Sequence, residues 1–226
     1  MKTIIVTGAS FGIGEAISKS LAPEFNIIAC ARRKDKLDSL ALSSQNIIPF
    51  ELDITDSSSI QNLIDSIDGD IYGLINCAGG GGGPMKFDIL EEEQEFLDKS
   101  FNLNVSSTFN LIKAIAPKMK RSHNPIVINI TSIAGEQIFR CSSAYTISKH
   151  AQSVMSKILR RDLSAQGIRM TEVLPGSVNS HRQENENSSI MPEDIADAIS
   201  FIVKSKGSVN VNAIYISHLL DIPFLS

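Results

Sequence analysis

Short apolar runs and longer stretches with helical spacing alternate along the whole chain. The apolar runs have the length of β-strands and are rich in isoleucine, valine and threonine, which favour strands. In the stretches between them, apolar residues recur every three or four positions, as on one face of an amphipathic helix. This pattern predicts strands at 3–7, 26–31, 46–52, 71–75, 125–130, 168–174 and 209–217.

The stretches with helical spacing predict a helix after most of the strands. Strands that alternate with helices form a parallel sheet with helices on both faces, so we predict an α/β fold. The 226 residues fit one large domain, 1–226, better than two small ones. The predicted helices lie at 15–22, through Leu37 and Leu40, at 58–67, over a long region from about 91 to 120, across 145–149 to about 165, and at 192–204.

Composition and charge narrow the classes of function. The net charge is −4 and there is no basic tract, so we expect neither nucleic acid nor an anionic membrane as a partner. Cys30, Cys77 and Cys141 are far apart and offer neither metal-ligand spacing nor a disulfide framework, which is typical of a reducing compartment. The sequence after Met1 has no signal-peptide pattern and no apolar stretch has transmembrane length, so we expect a cytoplasmic protein.

A glycine-rich turn at 8–14 follows the first predicted strand and precedes a predicted helix. Glycines at 8, 12 and 14 permit a tight turn, and a helix N-terminus offers free N–H groups to a phosphate, so the turn predicts a nucleotide site. The same residues match the G-x-S-x-G elbow of serine esterases, with Ser10 as nucleophile. That elbow normally follows several strands, whereas this turn follows the first, so we favour the nucleotide.

The end of the second predicted strand bears on the choice of nucleotide. An acidic residue there would bind the ribose 2′-OH of NAD, whereas a nearby arginine accommodates the 2′-phosphate of NADP. The chain has Ala31 at this place, followed by Arg32 and Arg33. Because cations are disfavoured at a helix N-terminus, their clustering suggests that an anion lies nearby.

Tyr145 and Lys149 are the strongest candidates for acid–base chemistry. Residues four apart on a helix share a face, and a nearby ammonium lowers the pKa of a tyrosine from its usual value of about 10. A tyrosine with a lowered pKa exchanges protons near neutral pH. Tyr and Lys at this spacing are common, and the pair taken alone is better explained as an ordinary half-exposed helix face, so the rest of the chain has to decide.

A set of motifs in a characteristic order makes the chain resemble the short-chain dehydrogenases/reductases over essentially its whole length. The resemblance implies a Rossmann-like, doubly wound parallel sheet of about seven strands in the order 3-2-1-4-5-6-7. The motifs that carry it are Thr7-Gly8-x-x-x-Gly12-x-Gly14, Asp53, Asn76-x-Ala78-Gly79, Asn104, Ser132, Tyr145-x-x-x-Lys149 and Pro175-Gly176.

The resemblance implies four catalytic residues. Tyr145 is expected to give a proton to a carbonyl oxygen, and Ser132 to hold that oxygen. Lys149 is expected to lower the tyrosine pKa and to bond the nicotinamide ribose. Asn104 is expected to position a water that connects Lys149 to solvent.

The resemblance also implies NADP(H) as the cofactor, and the cysteine spacing leads us to expect no metal. The glycines would cradle the pyrophosphate, Asp53 would bond the adenine, Asn76 would support the ribose, and the residues after strand six would flank the nicotinamide. The predicted cofactor contacts are Gly8, Ser10, Gly12, Ile13, Gly14, Arg32, Arg33, Asp53, Ile54, Asn76, Ala78, Gly79, Tyr145, Lys149, Pro175, Gly176, Val178 and Ser180.

The leading hypothesis is an NADPH-dependent reductase of a small ketone, aldehyde or dicarbonyl, or the reverse reaction. The alternative is a regulatory protein that binds NADP(H) on the same fold without catalysis. Cys77 departs from the family, which usually has a second asparagine there. We expect a substrate site lined by Gly135, Glu136, Gln137, Phe139 and the polar loop 177–191. The apolar tail 219–225 can pack on its own core or on another subunit, and we favour the second, because the family that the chain resembles is usually dimeric or tetrameric.

Overall fold

One parallel sheet forms the centre of the protein. The structure is a computed structural model, and it describes residues 1–80, 88–138, 141–181, 189–207 and 209–219. In these residues the strand order is β3-β2-β1-β4-β5-β6-β7 and all neighbours are parallel, which confirms the predicted Rossmann-like α/β fold. The strands are β1 Thr3–Thr7, β2 Asn26–Ala31, β3 Ile47–Glu51, β4 Ile71–Asn76, β5 Ile126–Ile130, β6 Arg169–Pro175 and β7 Ala213–Ile216.

Helices cover both faces of the sheet. None of the helices in the described residues is long and apolar enough to cross a membrane. The helices are α1 Gly12–Leu21, α2 Lys34–Ala41, α3 Ser57–Asp65, α4 Gln94–Phe101, α5 Ser107–Met119, α6 Ser143–Ser164 and α7 Pro192–Lys204, with short 3₁₀ turns at Ile89–Glu91 and Ile133–Gly135.

Alternate residues of each strand supply two separate apolar cores. Ile4 and Val6 of β1 pack on the face covered by α1, α2 and α7, whereas Ile5 points to the face covered by α3, α5 and α6. All three side chains are fully buried. Burial of an isoleucine or valine side chain contributes about 1.5–3 kcal/mol, so a one-residue slip of β1 would forfeit several such contributions. The register of the central strands therefore holds their carboxyl ends at one edge.

Two predicted elements differ from the structure. The long helical region at 91–120 is divided into α4 and α5 by a π-helical turn, Asn102–Ser106, which apolar spacing alone does not reveal. The last strand is only four residues long, because the Asn210 side chain accepts from Met170 N at 3.1 Å and donates to Met170 O at 3.2 Å. That side chain takes the place of a backbone partner beside β6.

Candidate active site

A cavity of about 540 Å³ opens at the carboxyl ends of β1, β2 and β4. In open α/β sheets this edge is where ligands bind. Most of the predicted cofactor contacts line it, together with further residues that the sequence did not single out. Its lining comprises Gly8, Ser10, Phe11, Gly12, Ile13, Cys30, Ala31, Arg32, Arg33, Leu52, Asp53, Ile54, Cys77, Ala78, Gly79, Leu103 and Ser180.

The glycine-rich turn has a backbone that other residues would strain. Gly8 and Gly12 have φ of +66° and +58°, in the left-handed region that glycine adopts at low cost. A Cβ on Gly14 would lie 2.4 Å from Gly8 O, so a side chain there would separate α1 from β1. No side chain of the described residues caps α1, and its first N–H groups remain available to an anion.

Arg33 joins the end of β2 to this turn. Its Nη2 and Nε donate to Ser10 Oγ at 3.1 and 3.3 Å, and its guanidinium lies 5.7 Å from the centre of the Phe11 ring. The Phe11 ring is in turn 5.1 Å from that of His181. Phe11 was missed as a site residue, although its place between two turn glycines was a signal that its side chain would reach the rim.

The geometry of Ser10 does not favour the esterase interpretation. A nucleophilic serine needs a hydrogen-bonded general base, usually a histidine that is itself oriented by a third group. In the described residues the Ser10 hydroxyl accepts from Arg33, and no histidine hydrogen-bonds it. A guanidinium cannot serve as that base, because it stays protonated.

Asp53 lies at the opposite wall of the cavity, just after β3. Its Oδ1 accepts from Thr55 N at 2.9 Å and from Thr55 Oγ1 at 2.7 Å. These two bonds, and more weakly the charge of Arg32, hold the pKa of Asp53 below its usual value. The carboxylate is therefore an ionised, fixed acceptor beside Ile54, the other predicted contact on this wall.

Ser132 and Tyr145 come together beside the cavity. Ser132 follows β5 and caps the 3₁₀ turn by accepting from Ala134 N at 3.1 Å, and its hydroxyl lies close enough to the Tyr145 phenol to lower the pKa of that phenol. Ser142 caps α6 by accepting from Tyr145 N at 3.4 Å. Glu92 Oε2 accepts from Ala144 N at 3.1 Å, so a second side chain steadies the helix start that carries the tyrosine.

Lys149 lies one helical turn after Tyr145 and is 3% exposed. Its Nζ is 5.7 Å from the centre of the tyrosine ring, and it donates to Gln152 Oε1 at 2.8 Å and to Ile130 O at 3.4 Å. Burial lowers the pKa of Lys149 to about 8, partly offset by Cys77 and Glu172. The lysine is therefore only partly charged in the upper physiological pH range.

The sequence predicted that Lys149 lowers the pKa of Tyr145. In the structure that pKa is raised, so this prediction is wrong for the protein as described. Burial raises the pKa of Tyr145 above its usual value, and the hydrogen bond from Ser132 only partly lowers it. The physical reason is that Lys149 is itself desolvated and has its shortest contact with Gln152. Desolvation of the phenol therefore outweighs the attraction of the ammonium, and the phenol keeps its proton.

Asn104 lies in the π-helical turn and is fully buried. Its Oδ1 accepts from Gly80 N at 3.1 Å, and its Nδ2 donates to Gly80 O and to Ser148 Oγ, each at 2.9 Å. Ser148 Oγ donates in turn to Tyr145 O at 2.8 Å. The side chain thus ties the segment after β4 to the helix of the Tyr–Lys pair, and both of its donor hydrogens are used.

Several predicted contacts lie behind or beside the cavity instead of in its wall. Asn76 is buried and donates to Asn129 Oδ1 at 2.8 Å, which connects β4 to β5. Pro175 ends β6, and Gly176 N donates to Ile216 O at 2.8 Å. Val178 pairs with Ile190 and packs against the core. These four residues connect the strands and segments around the cavity, and they do not line the cavity itself.

The expected substrate-lining residues are only partly described. Glu136 is bonded to Lys157 at 2.8 Å and to the Tyr215 hydroxyl, and these contacts hold its pKa below the usual value. It therefore clamps the segment after Ser132 to α6 and β7. Phe139, residues 182–188 of the polar loop and residues 220–225 of the tail lie outside the described residues.

Comparison with known proteins gives relatives over most of the chain. A family model described as short chain dehydrogenase matches residues 2–190. Two oxidoreductases, one of Staphylococcus haemolyticus and one of Staphylococcus aureus, are both called uncharacterized and are each 29% identical to this chain. Each alignment covers 94% of this chain and 95% of the relative.

Solved structures share the fold at lower identity. An alcohol dehydrogenase of the archaeon Thermococcus sibiricus, complexed with 5-hydroxy-NADP, has a TM-score of 0.88 at 23% identity and covers 97% of both chains. A closed serine dehydrogenase complexed with NADP⁺ has a TM-score of 0.87 at 23% identity, over 95% of this chain and 94% of that one. With the family model matching most of its length, the chain belongs to the short-chain dehydrogenase/reductase family of oxidoreductases, which use nicotinamide cofactors.

Proposed function

We propose that the protein is an NADP(H)-dependent oxidoreductase that reduces a small ketone, aldehyde or dicarbonyl to the alcohol, or catalyses the reverse. The observation that carries the proposal is the contact between the Ser132 hydroxyl and the Tyr145 phenol, with Lys149 one turn away, beside the cavity. A hydroxyl pair of this kind can hold one carbonyl oxygen and protonate it. We further propose that 1–226 acts as one domain.

The cavity fits a nicotinamide dinucleotide. A Cβ on Gly8 would lie 2.9 Å from Ala78 N, so the absence of a side chain lets the turn pack against the end of β4, where the cavity opens. Arg33 is already held at Ser10, and Arg32 lines the same wall. Two cations without an acid at this strand end support the 2′-phosphate of NADP(H) over NAD(H). The NADP-type ligands of the two similar solved structures are consistent with that choice.

The chemistry that a bound nicotinamide supplies is hydride transfer at a carbonyl carbon. As the C–H bond forms, Tyr145 gives its phenolic proton to the carbonyl oxygen, and the former π-bond pair becomes the O–H bond of the alcohol. Ser132 hydrogen-bonds that oxygen. Burial keeps the phenol protonated before the step, and a charged Lys149 stabilises the phenolate afterwards. The donor hydrogens of the Asn104 side chain are both used, so Asn104 would hold the water through which the proton is replaced only as an acceptor.

Replacement of Tyr145 by phenylalanine tests this function. We expect Tyr145→Phe to bind NADPH within about twofold of the wild type and to lose about 10²–10⁴-fold in kcat, which is the usual contribution of general acid–base catalysis. Binding would be measured by fluorescence titration, and turnover as NADPH consumption with a panel of small ketones, aldehydes and dicarbonyls.

Tyr72→Phe is the matched control, because its hydroxyl bonds Val203 O near the opposite edge of the sheet. Full activity of Tyr145→Phe would contradict the mechanism. Tight NADPH binding without turnover of any carbonyl by the wild type would instead support the regulatory alternative.

We also propose that the protein is a cytoplasmic homodimer or homotetramer. An apolar groove between α4–α5 and α6 supports association with a second copy, because exposed apolar patches of this kind mark interaction surfaces. Its lining includes Phe101, Val105, Phe109, Val154 and Ile158. The suggested role of the tail rests on residues that lie almost entirely outside the described part of the chain.

A further inference from the structure

Gln152 makes the shortest polar contact of the Lys149 ammonium. It lies three residues after Lys149 on the same side of α6 and is 0% exposed. The distance between Lys149 Nζ and Gln152 Oε1 is 2.8 Å, whereas Ile130 O lies 3.4 Å from the same nitrogen. An ammonium has three donor hydrogens and accepts nothing, so the amide must present its oxygen to Nζ.

We propose that Gln152 is a positioning residue that keeps the Lys149 ammonium charged and in place beside the cavity. Gln152 Oε1 and Ile130 O engage two of the three donor hydrogens. No other acceptor in the described part of the chain bonds Nζ, so one hydrogen remains for another acceptor, such as a ribose hydroxyl. The importance of this contact for catalysis rests on the proposed function, whereas its effect on the proton affinity of Lys149 does not.

The nitrogen of the Gln152 amide, unlike its oxygen, destabilises the fold. Gln152 Nε2 is buried and has no hydrogen-bond partner among the described residues. A buried donor without a partner destabilises the fold, and an apolar side chain of the same size would avoid that cost. A polar side chain that pays this penalty while bonding the catalytic lysine fits a functional contact, since such conflicts concentrate at functional sites.

Among the described residues, three titratable groups face Lys149 from the elements around it. Cys77 approaches from the end of β4, Glu172 from β6 and Tyr145 from α6 itself. Glu172 is buried and Thr131 Oγ1 donates to its Oε1 at 2.9 Å; burial raises the pKa of Glu172. Desolvation also raises the pKa of the Cys77 thiol to about 12. Gln152 carries no charge, so replacing it changes the stabilisation of the Lys149 ammonium without removing a titratable group.

The two informative substitutions act in opposite directions. Gln152→Met removes the acceptor and keeps the volume, so the ammonium loses stabilisation and the pKa of Lys149 falls. Gln152→Glu places a carboxylate at the same distance, so the pKa of Lys149 rises. Each shift should be about 1–2 pH units, the size expected for a hydrogen bond to a charged group. If Gln152 merely filled space, its two substitutions would not shift the pKa of Lys149 in opposite directions.

The direct test is an NMR titration of the full-length protein carrying ¹³C-labelled lysine. The Lys149 signal is assigned by its loss in Lys149→Met, and its pKa is measured in the wild type, Gln152→Met and Gln152→Glu. We expect a lower value in the first variant and a higher value in the second. Thr108→Val removes a buried hydroxyl of α5 that has no partner among the described residues and should leave the value unchanged. An unchanged pKa in a folded Gln152 variant would overturn the proposal.

The pH dependence of turnover gives the second readout. If charged Lys149 is required, the alkaline limb of kcat/KM moves to lower pH in Gln152→Met and to higher pH in Gln152→Glu. Should the methionine variant fail to fold, the glutamate variant decides by the direction of its shift. Absence of turnover in the wild type would count against the proposed function and would leave the NMR result to decide the role of Gln152.

Discussion

Gly79 is the residue at which the cavity wall, Asn104 and Lys149 meet. A Cβ on Gly79 would lie 2.9 Å from Asn104 Oδ1 and 3.4 Å from Lys149 Nζ. The first distance is a clash, and the Asn104 amide cannot retreat easily because Gly80 and Ser148 hold it. The absence of a side chain therefore lets the end of β4 approach two predicted catalytic groups at once.

Gly79→Ala tests this close approach. We expect the substitution to displace Asn104, to cost about 1–3 kcal/mol in the free energy of unfolding, as overpacked sites usually do, and to lower kcat. Gly69→Ala is the matched control, because a Cβ there meets nothing within 4 Å. Urea unfolding and NADPH turnover measure the two effects. Equal stability and activity of both variants would show that Asn104 shifts freely.

The junction of β2 and α2 is the element that distinguishes the two nicotinamide dinucleotides. Arg32 and Arg33 lie where a helix dipole disfavours cations, and the Arg33 side chain crosses to Ser10 in the turn between β1 and α1. A phosphate at this junction would offset the repulsion between the arginine cations and the helix dipole, and it would accept hydrogen bonds from the guanidinium. The same arrangement offers no such gain to a ribose 2′-OH.

Loss of Arg33 should therefore weaken NADPH selectively. We expect Arg33→Ala to raise the Kd of NADPH about ten- to a hundredfold, since hydrogen bonds to charged groups contribute about 1.5–3 kcal/mol, and to change the Kd of NADH little. Lys34→Ala, the next residue along, does not line the cavity and serves as control. If Arg32→Ala combined with Arg33→Ala leaves the preference unchanged, the arginines do not read the 2′-phosphate.

At the scale of the whole molecule, the groove on α4–α5 and α6 is the surface of the described residues that we propose a second copy covers. Val154 is 55% exposed there, and Phe101 and Phe109 are exposed beside it. Covering these three large apolar side chains with a second copy would remove apolar surface from water, which favours association. The groove faces away from the Ser132–Tyr145 contact, so association is compatible with an open cavity.

A charge in this groove should separate the subunits. We expect Val154→Glu to run as a monomer of about 24.5 kDa in size exclusion with light scattering, whereas the wild type has at least twice that mass. Leu42→Glu is the control, because Leu42 is 90% exposed and follows α2 at a distance from the groove. A monomeric wild type would contradict the proposed assembly.

The sequence predicted those elements whose causes are local. The bounds of α7, 192–204, are the same in the prediction and the structure, because Pro192 opens the helix and its apolar spacing is regular. The seven strands were found from their apolar runs, and the family motifs gave their order, which the structure confirms. The π-helical turn and the short β7 were missed, because each depends on an asparagine side chain meeting backbone groups of another segment.

For the site, the sequence by itself determined which groups were present and how they were spaced. A glycine-rich turn after β1, a serine after β5 and a tyrosine four residues before a lysine all follow from chain order and helix geometry. The tertiary structure alone decided which of them touch: Arg33 on Ser10, Ser132 on Tyr145, and Gln152 on Lys149. It also decided that burial raises the pKa of Tyr145, because desolvation depends on every element packed around a group and not on its neighbours in sequence.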